Sequence, residues 1–179
     1  MTTDAIRADT ITVEPLSAEA FAPFGEVIEH CSGTRISTNG GTAIRAHAIS
    51  AIDCGSDGGT AYINMFHVPK PVPIEPVRML ERHPISTQAF IPLERVRFIV
   101  VVADASVVPS HGALRAFLTD GRQGVNYLKG TWHHALIALD PGSLLVIDRS
   151  TSAQTLEQDY DEYWLRQVVA LSLPSDLLS

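Results

Sequence analysis

Apolar residues in this chain fall in short runs rich in β-branched and aromatic types, and each run ends at a Pro or a Gly. Breaks come at Pro69, Pro71, Pro73, Pro76, Pro84, Pro92, Pro109 and Pro141, and at the pairs Gly40-Gly41 and Gly58-Gly59. Runs of this length between turn formers predict strands rather than helices. Strands are expected over residues 10–13, 25–28, 42–49, 61–68, 77–83, 88–91, 95–103, 114–119, 132–139, 144–148 and 163–172. Helix is expected only near residues 17–22, where Ser17 is a suitable N-cap, with a turn near 154–159. So many short strands predict an all-β protein whose sheets form a closed or nearly closed barrel around a ligand cavity.

Strand parity then selects residues. Alternate side chains of a strand share a face, so Glu81 and His83 enter the same side as Val77 and Met79. Gln88 follows in the spacing E-x-H-x4-Q, and Gly130-Thr131-Trp132-His133-His134 lies on a later strand. Residues 132–139 are apolar in both rows, which predicts burial on both faces and leaves His133 and His134 equivalent by parity. A carboxylate, an amide and two imidazoles suit a small polar ligand, a divalent metal, or both. Arg82, on the opposite parity, is expected in a salt bridge or a dimer interface. Asp148-Arg149 reads equally as a surface ion pair or as part of a site, and Asn126-Tyr127 equally as a turn after Gly121 and Gly124. Trp132 and Phe117 are expected to pack, His47 and His67 to be peripheral, and Lys129 to be a solvated loop charge.

Composition narrows the partners. The chain has 179 residues, room for one domain spanning 1–179 with a sizeable core. Thirteen Lys and Arg against twenty Asp and Glu give a net charge of −7, without a basic block. That balance argues against nucleic acid or an anionic membrane and for a small-molecule partner. Cys31 and Cys54 lack C-x-x-C spacing, so a reducing compartment is expected. The N-terminus has no apolar signal segment, and the run from Phe98 to Ala103 is too short to span a bilayer, so a cytoplasmic location is expected.

Several motifs carry a family resemblance. Glu81-Arg82-His83-Pro84 with Gln88-Ala89-Phe90-Ile91-Pro92 resembles the ureidoglycolate lyase signature. So do Arg115-Ala116-Phe117, Gly121, Gln123-Gly124-Val125-Asn126-Tyr127, Gly130 with Trp132-His133-His134, and Ile147-Asp148-Arg149. Leu16-Ser17, Phe21, Gly25-Glu26-Val27-Ile28, and Asn39-Gly40 through Arg45 extend the likeness over nearly the whole chain. The resemblance implies a cupin-type double-stranded β-helix (jelly-roll) barrel, usually a homodimer. It also implies a carbon–nitrogen lyase that splits ureidoglycolate into glyoxylate and urea at the end of allantoin breakdown, in purine metabolism. On the general cupin pattern, Glu81-x-His83-x4-Gln88 and Gly130-x-x-His133 fall at the ligand positions, which favours His133 over His134. With Glu81 and Gln88 there, Glu81, His83, Gln88 and His133 form a weaker metal set than three histidines, for nickel, zinc or manganese if a metal binds. Three positions depart from the family pattern: Leu128 where a His is common, Ala135 where a Pro is, and His67 where an Arg is. They motivate a second reading, a diverged cupin enzyme acting on another small hydroxy-carboxylate or amide adduct. A third is a non-catalytic metabolite-binding cupin.

Ureidoglycolate carries a hydroxyl, a carboxylate and a ureido nitrogen on one carbon. Its elimination needs a base for the hydroxyl proton and a donor for the leaving nitrogen. His83 and His133 exchange protons near neutrality, and Glu81 either orients His83 or acts as base if burial raises its pKa. Gln88 and Asn126 match the donors and acceptors of urea, and Arg115 or Arg149 would grip the carboxylate. Tyr127 and His134 complete the expected substrate-binding set. Residues 30–60, rich in Gly, Ser and Thr, are a candidate mobile cover.

Overall fold

The computed structural model describes residues 9–149 and 159–177. Their strands are β1 (Asp9–Pro15), β2 (Gly25–Ile28), β3 (Thr34–Thr38), β4 (Ala43–His47), β5 (Ala61–Val68), β6 (Val77–Arg82) and β7 (Gln88–Pro92). They continue as β8 (Phe98–Ala103), β9 (Arg115–Leu118), β10 (Gly124–Tyr127), β11 (Trp132–His133), β12 (Ile137–Ala138), β13 (Gly142–Arg149) and β14 (Asp161–Ser172). Helix α1 (Ala18–Phe21) begins where expected, with Ser17 Oγ accepting the Ala20 N–H at 3.2 Å.

Strand β11 pairs with both β6 and β8, so the order β6-β14-β1-β9-β8-β11 closes on itself. A five-stranded sheet, β2-β10-β7-β13-β5, packs beside this ring, and β3-β4 forms a separate hairpin. The all-β, closed-barrel expectation is met.

Strand β8 sits between two cores. Phe98, Val100 and Val102 join Phe21, Phe24, Phe90, Phe117, Val125, Leu144 and Val146, a core shared with the five-stranded sheet. Ile99, Val101 and Ala103 point the other way, to Val13, Val77, Leu80, Ala116, Trp132 and Val169 from the ring strands. All six β8 residues are buried, as an uninterrupted apolar run requires. Each large side chain withdrawn from water contributes about 1.5–3 kcal/mol before entropy is charged against it.

The sequence misplaces some elements. Residues 132–139 are not one strand but β11 and β12, because the register against β8 shifts by one residue between His133–Val102 and Ile137–Ile99, although His134 N–H still donates to Val101 O at 2.9 Å. Residues 95–97 precede β8 rather than starting it: Arg97 is drawn to Asp140, with its backbone N–H and Nε both 2.9 Å from Oδ2. Strand β10 replaces the turn considered for Asn126-Tyr127, since Gly124 lets the Phe90 carbonyl approach where a Cβ would stand 2.5 Å from it. Hairpin strand β3 was not expected at all. Among the described residues no helix is long and apolar enough to cross a membrane.

Candidate active site

Register in the five-stranded sheet sets one wall of the site. Tyr127 pairs with Gln88, and Ile147 with Ala89, so the next row across the sheet runs Tyr127, Gln88, Asp148, Tyr62. Leu144 and Val146 face the first core, so Asp148 continues that inward face and Arg149 turns away from it. On the ring side, His133 pairs with Glu81, which pairs with Glu162. Tyr127 stacks on His133, with ring centroids 4.3 Å apart at 15°, and joins the two walls.

Each histidine is oriented by a backbone carbonyl. His83 Nδ1 lies 2.7 Å from Asp159 O, and His133 Nδ1 lies 2.9 Å from Thr131 O. A carbonyl only accepts, so Nδ1 carries the proton in both rings and Nε2 is the atom free for chemistry. Both Nε2 atoms are buried without a hydrogen-bond partner, and the ring centroids are 5.6 Å apart. His133, only 2 % exposed, places Nε2 3.5 Å from Glu81 Oε1, which is ion-pair range but long for a hydrogen bond. Asp159 braces the turn after His83, accepting from Ile85 N at 2.8 Å and from the Ser86 hydroxyl. Gly130, at φ +76° in a turn that favours glycine, donates its N–H to His83 O at 2.7 Å.

Burial alone raises the Glu81 carboxyl, but the His133 contact, the Tyr160 hydroxyl at 3.1 Å and the charge of His83 outweigh it and hold it below its ordinary value. Glu81 is therefore an ionised partner of His133, and of the two roles expected for it, orienting an imidazole or acting as base through a raised pKa, the lowered value does not support the second. Tyr160 Oη also lies 2.9 Å from Glu162, and burial with these two carboxylates pushes its phenol well up. Burial pushes Asp148 up as well, against the opposing pull of the Gln88 amide, the His83 charge and Asn64 Nδ2 at 2.8 Å.

The structure thus gathers Glu81, His83, Gln88, Tyr127 and His133. His134 turns its Nδ1 to Ala135 O at 2.8 Å, and it borders both a groove of about 390 Å³ with Met79 and Trp164 and a small cleft with Glu81 and Tyr127. Three other expected substrate contacts bond to the protein itself, though Asn126 Oδ1 and Arg149 Nε and Nη1 stay buried without a hydrogen-bond partner. Arg115 pairs with Glu14 at 2.9 Å, bonds Ala20 O and lies over Phe117. Asn126 faces outward and donates to Ser50 Oγ and Ala51 O. Arg149 donates from Nη2 to Ser56 O at 2.9 Å, with Gly59 packed so close that no side chain fits there. With Lys129, 2.6 Å from Asp53, Asn126 and Arg149 clamp residues 50–57 across the outside of the sheet, so Lys129 is not a free loop charge. Arg82 is in the expected salt bridge, 2.7 Å from Asp161 and 4.3 Å above the Trp132 ring.

Asn64, Tyr160 and Asp159 are the residues that sequence reasoning missed, since contacts distant in sequence set them. Asp148, left open between a surface ion pair and a site residue, lies on the inward parity row of Leu144 and Val146. Among the described residues no group of three or more His, Cys, Asp or Glu is placed to hold a metal ion. Glu81 turns to His133 and Tyr160.

Comparison with known proteins shows the family. The family model for ureidoglycolate lyase matches residues 8–172. The chain belongs to the ureidoglycolate lyase family. It is 45% identical over 168 residues to the ureidoglycolate lyase of Burkholderia mallei (strain NCTC 10229), covering 92% of this chain and 98% of that one. The ureidoglycolate lyase of Pseudomonas aeruginosa (strain LESB58) is 43% identical over 153 residues, covering 84% and 90%. Among solved structures, the rmlC epimerase of Mycobacterium tuberculosis aligns with TM-score 0.42 and 16% identity over 83% of this chain and 80% of that one. The three departures from the family pattern lie at the surface: Leu128, Ala135 and His67 are exposed, the last 3.3 Å from Ser143 Oγ.

Proposed function

We propose that this member of the ureidoglycolate lyase family eliminates urea from ureidoglycolate to leave glyoxylate, serving allantoin and purine breakdown in the cytoplasm. The observation that carries the reading is the pair of buried, unpartnered Nε2 atoms of His83 and His133, one of them beside an ionised Glu81. A pure binder has no use for two proton-exchanging atoms held ready in this way.

In the proposed mechanism His83 Nε2 removes the hydroxyl proton as the carbon–oxygen double bond forms. The carbon–nitrogen bond breaks, and its electron pair takes a proton from His133 Nε2. Glu81 accepts only, so it attracts His133 when Nε2 is protonated and holds that ring ready as the acid. Gln88 binds the ureido group. Tyr127, stacked on His133, fixes the ring plane and seals the site from below.

The protein is also proposed to act as a homodimer. The outer face of β5 leaves Ile63 70 % and Met65 61 % exposed, and the β3-β4 hairpin leaves Ile44 63 % exposed. Large apolar side chains exposed on a strand face in this way suit an interface. Ile63→Lys with Met65→Lys is expected to give monomers in sedimentation.

The deciding assay supplies racemic ureidoglycolate and measures urea and glyoxylate together. Equal release of both, lost in His133→Ala, supports the lyase. Folded wild-type protein that releases neither would remove this reading and leave the diverged enzyme or the binder.

A further inference from the structure

Gln88 is more than nine-tenths buried on the inward face of β7, and its Oε1 has no partner. Its neighbour across the sheet is Asp148, whose carboxylate it hydrogen-bonds. A carboxylate can only accept, so the Gln88 atom facing it is the NH2 group, and Oε1 is the atom left over. Asp148 is itself held, since Asn64 Nδ2 donates to its Oδ1 at 2.8 Å from the adjoining strand β5. The chain Asn64–Asp148–Gln88 therefore has one polarity and ends in a lone, buried acceptor. A buried acceptor without a partner is unfavourable until a ligand N–H fills it.

We propose that Asp148, braced by Asn64, is a positioning residue that sets the enzyme's preference for a ureido group: it fixes the Gln88 amide so that Oε1 accepts an N–H from the urea end of the substrate. This rests on the lyase reading above. The two products separate the ends of the substrate, because urea carries those N–H donors and glyoxylate carries none. Asp148→Asn is the informative change. Asn64 claims the oxygen of the new amide, so its NH2 faces Gln88 and turns the Gln88 amide over, replacing the acceptor with a donor.

The test is product inhibition by urea and by glyoxylate, each varied against ureidoglycolate, in wild type, Asp148→Asn, Gln88→Met and Asn64→Ala. Urea inhibition is expected to weaken about fivefold to tenfold in the first two variants, the size of one hydrogen bond. Asn64→Ala should move it less, and glyoxylate inhibition should hold within about twofold throughout. Asp148→Asn combined with Gln88→Met should be no worse than either alone, since both act on one contact. Should Asp148→Asn prove unfolded, Asn64→Ala carries the same reading with its smaller shift. Urea inhibition unchanged in both Asp148→Asn and Asn64→Ala, with wild-type turnover intact, overturns the inference alone. Equal weakening toward urea and glyoxylate also overturns it, by reducing Asp148 to a structural part. Wild-type protein that releases no urea removes the lyase reading and this inference with it.

Discussion

Strands β6 and β11 carry polar groups on both faces, and the two faces have opposite fates. On the ring side Arg82 is fully engaged, clasped by Asp161 and laid over Trp132. On the site side, one residue along, His133 and His83 keep their Nε2 atoms buried and unpartnered. The residues are neighbours in sequence and in the ladder; their burial and the state of their partnering differ. A polar group whose contacts are complete holds the fold, whereas one left incomplete away from water is stabilised only by what the protein binds. The same distinction separates Gln88, with its lone acceptor, from Arg115, which the fold uses up on Glu14 and Ala20.

Substitutions can break this contrast. The largest effect is expected for His83→Ala, about a hundredfold to ten-thousandfold in kcat, the usual range for a general base, with the melting temperature nearly unchanged. A loss below tenfold would return His83 to the structural residues. Glu81→Gln should lower kcat about tenfold to a hundredfold while leaving KM similar, as loss of an orienting partner does. Because the Glu81 carboxyl sits below its ordinary value, the acid limb of the wild-type pH profile should lie below the ordinary carboxylate range. That limb should vanish in Glu81→Gln. The stability Glu81 contributes is present above its unfolded pKa and lost as pH falls through the folded one.

Arg82→Ala should do the reverse, lowering stability by about 1–2 kcal/mol with kcat within twofold, the half-exposed ion pair and ring contact giving no more. For a chain of this size that is a fall of roughly 2–8 °C by calorimetry. Equal losses of activity in Arg82→Ala and Glu81→Gln would erase the distinction between the faces. The smallest change is expected for Asp148→Asn, which should raise stability slightly at neutral pH. Burial holds the Asp148 carboxyl above its unfolded value, so folding disfavours the charge as pH rises through that interval. The gain over wild type should disappear in acid, where both states are protonated.

Much of the fold was legible because its signals are local. β-branched runs between Pro and Gly located β2 and β5 to the residue, and Ser17 announced α1. Parity placed Glu81 and His83 on one face, which tertiary structure kept. The hairpin strand β3 escaped notice because Thr34–Thr38 lies on the surface with no buried row to impose alternation. Residue type shows what a side chain can bind, not what the fold already binds: Arg115 is held by Glu14 and Ala20, whereas Asn126 and Arg149 are held only in part and keep buried atoms without a partner.

What the chain determined by itself was therefore the alternation: which residues are strands, and which side chains share a face. Tertiary structure set His133 opposite Glu81 on β6 and Val102 on β8, the histidine that the family resemblance already favoured over His134. It alone joined Asp148 to Gln88, and His83 to Asp159, across intervals of 60 or more residues. Those pairings follow from register between distant strands, which is settled by packing two cores at once, and no local pattern encodes it.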